Sequence, residues 1–564
     1  MKFNDYRYER IDLKATEEQF KKLIEGFSSA ESVEEQIKYM DEIINLRNHV
    51  DTMITLVSIR HSVNTEDEFY DKENEYCDEI SPVVFGFISD FYKALSVSRF
   101  RNELEKKYGK FLFDIAELSV KTFDEAVIPE LQEENRLTSK YGKLIASAKI
   151  DFDGEERNLS QMVPYTQSKD RNIRIKASRK VAYFFKENKE EFDSIYDSLV
   201  KVRTSIAQKL GFKNYVELGY ARLLRLDYDS DMVASYRKQV LENIVPLHTE
   251  LRKRQEKRLG VEKLRFYDEP IKFNSGNADP HGDPEWILKH GKTMYKELSR
   301  ETDEFFTFMT EKDLLDLLSK KGKKSGGYCT YIPDYKAPYI FANFNGTAHD
   351  IDVLTHEAGH AFQVYQSRDY KIPEYLWPTY EACEIHSMSM EFLTWPWMEL
   401  FFEDDTEKYK FIHLSESLLF IPYGVTVDEF QHWVYENPEA SPSERRQKWL
   451  EIEGKYLPTR DYGEVDDLKE GIFWFRQGHI FSSPFYYIDY TLAQVCAFQF
   501  WIKANEDREK AWKEYLDLCR LGGSRPFFAL MEAANLKNPF TEGTIASVIP
   551  PIREFLNSID DTGL

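Results

Sequence analysis

Apolar residues recur at intervals of three and four along most of this chain, which is the spacing of one face of an α-helix. An early example of this apolar spacing comprises Phe20, Leu23, Ile24 and Phe27, with charged residues on the opposite face of the helix. Residues 111–123 repeat the pattern. We therefore predict a mainly α protein, with helices over residues 17–136, 170–258 and 350–564.

Two segments interrupt the helical pattern with the alternation typical of β-strands. Residues 143–163 alternate on both sides of Asp153-Gly154, a dipeptide that favours a β-hairpin turn. Residues 320–347 carry several glycines and predict two strands, at 328–332 and 339–343. Residues 273–286 have the Gly, Pro, Asn and Asp content of a loop.

The chain contains neither an internal repeat nor a linker-like stretch, so its parts are expected to pack together. We predict an N-terminal helical lobe over residues 1–200, which includes the hairpin. Residues 201–564 form the second region.

Composition and charge narrow the class of protein. The chain has 564 residues, 42% of them hydrophobic, with only 25 Gly and 21 Pro, which excludes collagen-like and largely disordered proteins. Asp and Glu (98) outnumber Lys and Arg (75), giving a net charge of −23. Such an acidic surface repels phosphate backbones, so nucleic acid is not an expected partner.

The sequence also indicates a compartment. The first residues, MKFNDYRYERIDL, lack the apolar core of a secretory signal. No apolar run approaches the roughly 18 to 20 residues that span a bilayer, so no membrane association is expected. Five cysteines lie far apart and form no CxxC pair, which argues against a disulfide framework and predicts a cytoplasmic location.

The strongest chemical signal is His356-Glu357-Ala358-Gly359-His360, an HExxH sequence inside a helical pattern. Residues four apart share one face of a helix, so both imidazoles can bind one Zn²⁺ ion. Glu357 lies about 100° round the helix, where it can act on a water beside the metal without being a ligand.

An HExxH pattern also arises by chance, in which case both histidines would be ordinary surface or core residues. The surrounding sequence argues against that alternative, because it has no proline from 350 to 372 and has a core-facing apolar side. Gly359 costs the helix roughly 1 kcal/mol relative to Ala. A glycine here suits a position that something must approach closely.

A catalytic zinc usually has three protein ligands, and residues 380–391 offer candidates for the third. Glu384 and Glu391 share one helix face, so Glu384 can ligate with Glu391 one or two turns away. His386 is the rival ligand, but it points about 200° away from Glu384. The alternative for each glutamate is a solvated helix face.

A third cluster, residues 476–490, is unusually rich in polar rings: His479, Tyr486, Tyr487 and Tyr490. Phenol and imidazole donors can stabilise an oxyanion that develops beside a metal. The alternative is aromatic packing in the core. Spacing alone does not decide which of the four rings has the catalytic role.

Four motifs in this order resemble the thimet oligopeptidase and oligoendopeptidase F family of zinc metallopeptidases. They are HEAGH, the preceding SGGYCTYIPDYKAPYIFANFNGTAHDIDVLTHE, the following YEACEIHSMSMEF and the late GHIFSSPFYYIDY. The likeness extends from about residue 200 to the C-terminus and is nearer to the bacterial oligoendopeptidase F branch. It implies two helical lobes that enclose a deep substrate channel, with a small β-sheet beside the HExxH helix.

The resemblance also implies a role for individual residues. His356, His360 and Glu384 match the zinc ligands, and Glu357 matches the general base. Tyr486, Tyr490 and His479 resemble the family's substrate-binding and carbonyl-polarising residues, although Ala493 stands where a further tyrosine is common. Two further acidic residues, Asp352 and Glu381, are candidates for hydrogen bonding to the ligand imidazoles.

These features predict an endopeptidase that holds one zinc ion and hydrolyses internal bonds of short unstructured peptides. We expect the substrate to pair as an added β-strand with one strand of the sheet, formed by Tyr339, Ile340, Phe341, Ala342 and Asn343. Two alternatives stay open, namely an inactive peptide-binding scaffold with a structural zinc, and an exopeptidase that uses the same metal.

Overall fold

The computed structural model describes residues 1–561 and residue 564. These residues form 23 α-helices and five β-strands, so the prediction of a mainly α fold with small sheets is confirmed.

The N-terminal part is a bundle of long helices. Its helices are α1 (Leu13–Ser29), α2 (Val33–Val63), α3 (Glu68–Ser96), α4 (Arg101–Tyr108), α5 (Lys110–Lys121) and α6 (Ile128–Ala146). Side-chain caps fix the starts of α1, α2 and α3, since Asp12, Ser32 and Asp67 each accept a hydrogen bond from a main-chain N–H in the first turn.

The predicted hairpin is present but shorter than expected. Strands β1 (Ile150–Phe152) and β2 (Glu155–Arg157) pair in antiparallel fashion. Both turn residues, Asp153 (φ 53°) and Gly154 (φ 81°), lie in the left-handed region that two-residue hairpins require. The prediction of strand over residues 143–163 is wrong at both ends, where the chain is helical: residues 143–146 belong to α6 and Val163–Thr166 forms α7.

Further helices lead to the central sheet. They are α8 (Arg171–Glu187), α9 (Lys189–Lys209), α10 (Tyr215–Arg222), α11 (Ser230–Leu259), α12 (Pro284–Leu298) and α13 (Arg300–Glu311).

A three-stranded sheet follows, in the order β3-β5-β4. Strands β4 (Tyr328–Ile332) and β5 (Ala337–Phe344) confirm the two predicted strands and pair antiparallel. Strand β3 (Leu315–Leu318) was not predicted, because four mostly apolar residues after a helix carry no distinct period. It pairs parallel with β5, which therefore lies in the middle of the sheet.

The remaining chain is helical again. Its helices are α14 (His349–Ser367), α15 (Tyr380–Leu393), α16 (Glu399–Phe402), α17 (Thr406–Glu436), α18 (Pro442–Tyr456), α19 (Gly478–Ser482), α20 (Tyr487–Glu506), α21 (Arg508–Leu521), α22 (Phe527–Ala533) and α23 (Thr544–Ser558). Helix α15 is buried on nearly all sides and packs between α14 and α20.

The core has two main parts. A smaller cluster joins residues of α1 to α5, such as Phe20 and Phe91, with Ile372 and Tyr375 from the later chain. The larger cluster includes buried side chains from the N-terminal Phe3 and from α6 onward to α23. The proposed boundary at residue 200 stays a prediction.

All five cysteines are unpaired, and Cys383 is buried. Within residues 1–561, no single helix has the length and apolar character to cross a membrane. Helices α3 and α4 pass that test together, on length and composition only, but are bent by 111°.

Candidate metal centre

The HExxH helix is α14, and a tight turn after β5 sets its start. The carboxylate of Asp350 accepts hydrogen bonds from the main-chain N–H groups of Asn345 (2.9 Å) and Gly346 (2.8 Å). Gly346 has φ 87°, a conformation that glycine adopts without strain. The turn directs the helix so that His356 and His360 point towards α15.

Helix α15 brings the third group to the histidines. Oε2 of Glu384 lies 3.1 Å from Nε2 of His356 and 3.3 Å from Nε2 of His360. The three atoms all lie within 4.8 Å of one another. Glu384 is 1% exposed, and the Ser387 hydroxyl donates to the same oxygen at 2.8 Å.

Close contact between the two helices makes this arrangement possible. A Cβ atom at Gly359 would lie 2.7 Å from the carbonyl oxygen of His386 and 3.0 Å from Cβ of Met390. Contacts this short do not occur, so only glycine lets α15 pack here. The close approach that was expected at Gly359 is confirmed, and the backbone of α15 makes it.

The residues present fit a zinc ion. Two imidazole nitrogens and one carboxylate oxygen are a known ligand set of catalytic zinc, which leaves a fourth position open. No other His, Cys, Asp or Glu side chain from the described ranges joins the group. The site therefore has the composition of an open, catalytic centre.

Glu357 lies beside His356, His360 and Glu384, and it is 7% exposed. Its Oε2 atom is buried and has no hydrogen-bond partner within residues 1–561 and 564. A Cβ atom at Gly327, just before β4, would lie 3.1 Å from the other oxygen, so the loop covers this carboxylate closely. Burial raises the pKa of Glu357, and the two histidines lower it in part.

A hydrogen-bonded relay orients His356. Its Nδ1 lies 2.7 Å from Glu391, whose other oxygen lies 2.7 Å from Nε2 of His413. The indole N–H of Trp395 donates to Nδ1 of His413 at 3.1 Å. Indole only donates, so His413 accepts at Nδ1 and donates from Nε2 to Glu391. Glu391 then accepts from Nδ1 of His356, which leaves Nε2 of His356 free to bind a metal ion.

The sequence pattern correctly predicted that Glu391 shares a helix face with Glu384, but it predicted no hydrogen bond between Glu391 and His356. His413 and Trp395 were missed, because α17 and the turn after α15 reach the site only through tertiary packing. The rival ligand His386 is fully buried, and its Nδ1 lies 2.7 Å from the Ala382 carbonyl oxygen. It stands outside the ligand group.

The two candidates for contact with the ligand imidazoles lie elsewhere. Asp352 accepts a hydrogen bond from the Tyr409 hydroxyl at 2.7 Å. Glu381 accepts one from the Thr379 hydroxyl at 2.9 Å. Both expectations are corrected, since neither carboxylate hydrogen-bonds to His356 or His360 in the described structure.

Tyrosine rings line one side of the centre. Tyr380, Tyr486 and Tyr490 stack in a row with ring centroids 4.2 and 5.0 Å apart. The Tyr486 hydroxyl donates to Oε1 of Glu384. Tyr487 packs edge-on against Tyr490 at 5.4 Å and also contacts the rings of Phe420 and Tyr423.

His479 connects the tyrosines to a second relay, which no sequence pattern predicted. The Tyr423 hydroxyl donates to Oε1 of Gln477 at 3.0 Å, and Nε2 of Gln477 lies 2.9 Å from Nδ1 of His479. An amide nitrogen only donates, so Nδ1 accepts and the proton of the neutral ring is on Nε2. That N–H donates to the Tyr490 hydroxyl oxygen at 3.0 Å.

The predicted substrate strand needs correction. Residues 339–343 lie in β5, which pairs with β3 on one edge and with β4 on the other. A further strand therefore has no edge of β5 on which to add. The side-chain amide of Asn343 instead stabilises the loop before β4, because it donates to the carbonyl oxygens of Lys324 (2.9 Å) and Gly326 (2.8 Å).

Comparison with known proteins agrees with this geometry. Residues 3–123 match the family described as Peptidase M3 N-terminal domain, and residues 289–548 match Peptidase family M3. The second match contains every residue of the centre described above.

Solved structures show the same fold along the whole chain. PZ peptidase A, solved with an inhibitor, is 58% identical over 100% of both chains, with a TM-score of 0.99. A candidate oligoendopeptidase F from Bacillus anthracis str. Ames is also 58% identical, over 100% of this chain and 99% of its own, with a TM-score of 0.95.

A curated relative gives a partial match. The oligoendopeptidase F homolog of Borreliella burgdorferi is 24% identical over 371 residues, which are 64% of this chain and 61% of the relative. The match thus spans about three fifths of that relative's length. Taken together, the family matches and the structures at 58% identity show that this chain belongs to peptidase family M3 and is an oligoendopeptidase F-like member of it.

Proposed function

We propose that this protein is a zinc metalloendopeptidase that hydrolyses internal peptide bonds of short unstructured peptides. One observation carries the proposal: His356, His360 and Glu384 converge beside a buried glutamate, Glu357, that has an unpartnered oxygen. Zinc bound by the three residues would supply a Lewis acid that lowers the pKa of water and polarises a carbonyl group.

Glu357 is the general base in this proposal. Its partnerless oxygen can accept a proton from the attacking water, and burial holds its pKa above the usual carboxyl range. A base of raised pKa can also return the proton to the leaving amine. Internal proton transfer of this kind needs no further acid near the scissile bond.

Tyr490 is the donor we assign to the developing oxyanion. The relay from Tyr423 through Gln477 and His479 ends with an N–H group donating to the Tyr490 oxygen. The phenolic proton of Tyr490 is therefore directed onward, towards Tyr486 and the metal ligands. Tyr486, in contrast, already donates to Glu384 and is better suited to holding that ligand.

Strand β4, rather than the expected β5, is available to pair with the substrate backbone. Strand β4 is an edge strand of its sheet, so one row of its main-chain groups pairs with no other described strand. The loop that leads into β4 lies over Glu357. We place the peptide along this edge, where main-chain hydrogen bonds would give broad specificity.

The two alternative functions, a peptide-binding scaffold with a structural zinc and an exopeptidase, have different structural requirements. A structural zinc site usually has four protein ligands, and the described residues offer three. An exopeptidase would need groups that recognise a free terminus.

The test is digestion of a decapeptide blocked at both ends, with zinc content measured on the same sample. Internal cleavage with about one zinc per chain supports the endopeptidase. Intact peptide with bound zinc would favour the scaffold. Cleavage only after one end is unblocked would favour an exopeptidase.

A further inference from the structure

A tight turn over residues 483–486 carries the chain from α19 into α20. The Tyr486 N–H donates to the Ser483 carbonyl oxygen at 3.1 Å, with Pro484 second and Phe485 third in the turn. Phe485 has φ 68°. Proline at the second position and a positive φ at the third are features of a type II turn, in which the third residue is usually glycine. A bulky residue in this conformation is strained and persists only where its surroundings hold it.

The ring of Phe485 is anchored in the core. It is fully buried and lies edge-on to the rings of His432 and Tyr220, with centroids 4.8 and 5.6 Å apart. A Cβ atom at Gly219 would lie 2.6 Å from Cδ2 of this ring, so the glycine leaves the room that the ring fills. The ring therefore packs against α10, which carries Tyr220, and against α17, which carries His432.

Two buried side chains hold the main chain of Phe485. Its N–H donates to Oε1 of Gln431 on α17 at 2.9 Å. Its carbonyl oxygen accepts from Nη2 of Arg225, just after α10, at 2.6 Å. Gln431 is fully buried and Arg225 is 7% exposed, so bulk water does not compete for either bond. Each polar group of the strained residue is thus paired with a side chain from a distant part of the sequence.

Arg225 also ties the turn to the start of α20. The same Nη2 atom donates to Oδ1 of Asp489 at 2.7 Å, and neither side chain is exposed. Asp489 lies in the first turn of α20, and its N–H donates to the Tyr486 carbonyl oxygen at 2.9 Å. Because removing one partner of a buried ion pair is strongly destabilising, this pair holds Phe485 and the first turn of the helix as one unit.

The residue that follows this turn reaches the metal centre. The Tyr486 hydroxyl donates to Oε1 of Glu384, and the Tyr486 ring stacks between those of Tyr380 and Tyr490. With the usual negative φ at Phe485, the chain would leave the turn in another direction and the hydroxyl would not meet Glu384. The contacts that hold Phe485 therefore determine a hydrogen bond to a metal ligand.

We propose that Arg225 and Gln431 are positioning residues, which hold Phe485 in the left-handed conformation and so direct the Tyr486 hydroxyl onto Glu384. The proposal rests on the proposed endopeptidase function and adds two residues to its site. Neither residue hydrogen-bonds to a metal ligand in the described part of the chain, so both act through the backbone of the turn.

Three variants test this role. Gln431→Met removes the acceptor for the Phe485 N–H without a change of charge, and Arg225→Met removes the donor to its carbonyl oxygen. Arg174→Met is the matched control, since Arg174 is 4% exposed and donates to the Tyr267 carbonyl oxygen and to Asp268. Thermal melting shows which variants are folded. Gln431→Met keeps the test decisive if Arg225→Met does not fold.

The first measurement is hydrogen exchange on the zinc-free protein. The amides of Tyr486 and Asp489 donate to main-chain oxygens, so neither substitution removes their acceptors directly. We expect both amides to exchange at least about tenfold faster in Gln431→Met and Arg225→Met, and at the wild-type rate in Arg174→Met. Unchanged exchange in the folded variants would overturn the proposal.

The second measurement is a double-mutant cycle on zinc affinity and turnover. Gln431→Met should weaken zinc binding in a chelator competition and lower kcat, each roughly tenfold, with KM within about twofold of wild type. In a Tyr486→Phe background, which lacks the hydroxyl, it should have little further effect on either quantity. Additive losses would overturn the proposal. A lower melting temperature with zinc affinity and kcat both retained would also overturn it, because it would show a merely structural role.

The outcomes separate this inference from the function on which it rests. If the zinc-loaded wild type leaves an end-blocked peptide intact, the endopeptidase proposal fails. The exchange rates and the zinc affinities of the cycle still decide whether Arg225 and Gln431 position Tyr486, because neither depends on turnover.

Discussion

Gly359 on α14 lies against the backbone of Ser387 on α15, so closely that a Cβ atom at 359 would come within 2.6 Å of the Ser387 Cα. The contact sets the distance between the helix that carries His356 and His360 and the helix that carries Glu384. A glycine without any metal contact thus determines the geometry of the ligand group.

Gly359→Ala should separate the two helices and weaken the site. The added methyl group meets backbone atoms, which cannot rotate away, so we expect a loss of about 1–3 kcal/mol in stability and weaker zinc binding. Melting temperature and zinc competition with a chelator measure the two effects. Gly454→Ala is the matched control, since nothing lies within 4 Å of that position in α18 and alanine favours helix. Unchanged zinc affinity in Gly359→Ala would refute the spacing argument.

Glu357→Gln should keep zinc and lose turnover. The amide is the same size but cannot accept a proton from water, so kcat should fall by roughly 10²- to 10⁴-fold. Zinc content by elemental analysis and single-turnover cleavage of an end-blocked peptide provide the measurement. A variant that retains full activity would end the assignment of Glu357 as the base.

Glu384→Ala and Glu391→Gln should weaken zinc binding to different degrees. The first removes a ligand, whereas the second weakens a hydrogen bond that orients His356, for which a loss of about tenfold to a hundredfold is typical. Chelator competition ranks the two variants against the wild type. If both bind zinc as tightly as the wild type, the ligand set must be revised.

Gln477→Glu tests the relay to Tyr490. The carboxylate matches the shape of the amide but accepts where the amide donates, so Nδ1 of His479 would carry the proton and Nε2 would accept from Tyr490. The phenolic proton then turns away from the substrate, and kcat should drop roughly tenfold or more with little change in KM.

A double-mutant cycle gives the control for this prediction. In a Tyr490→Phe background the hydroxyl is absent, so Gln477→Glu should have little further effect on kcat. Additive losses would show that Gln477 acts by another route. The ¹⁵N chemical shifts of His479 report the tautomer independently of activity.

Glu381→Gln should change how stability depends on pH. Burial and the charge of Asp489 raise the pKa of Glu381 to about 8, and burial raises the pKa of Asp489 to about 7, with Arg225 only partly offsetting each rise. The folded state therefore binds more protons than the unfolded state above about pH 4.5, and stability falls as pH rises towards 8. The amide cannot ionise, so the variant should melt at a higher temperature relative to wild type at pH 8 than at pH 5. A difference that stays constant across this range would contradict the assignment.

Much of the fold was predictable from the sequence because helical periodicity is a local property. The amphipathic helices, the hairpin turn at Asp153-Gly154 and strands β4 and β5 depend on neighbours a few residues apart. Strand β3 was missed because its partner in the sheet lies more than 20 residues later, and four residues contain no period that separates strand from helix.

The HExxH spacing by itself determined that His356 and His360 share a helix face and that Glu357 lies beside them, since 3.6 residues per turn fixes both directions. The later motif already indicated Glu384 as the third member of the group. Only the tertiary structure decided which strand has a free edge, and that Gln477, His413 and Trp395 orient the polar rings. Those outcomes depend on contacts between elements distant in sequence, where close packing leaves one arrangement of donors and acceptors and local spacing carries no information.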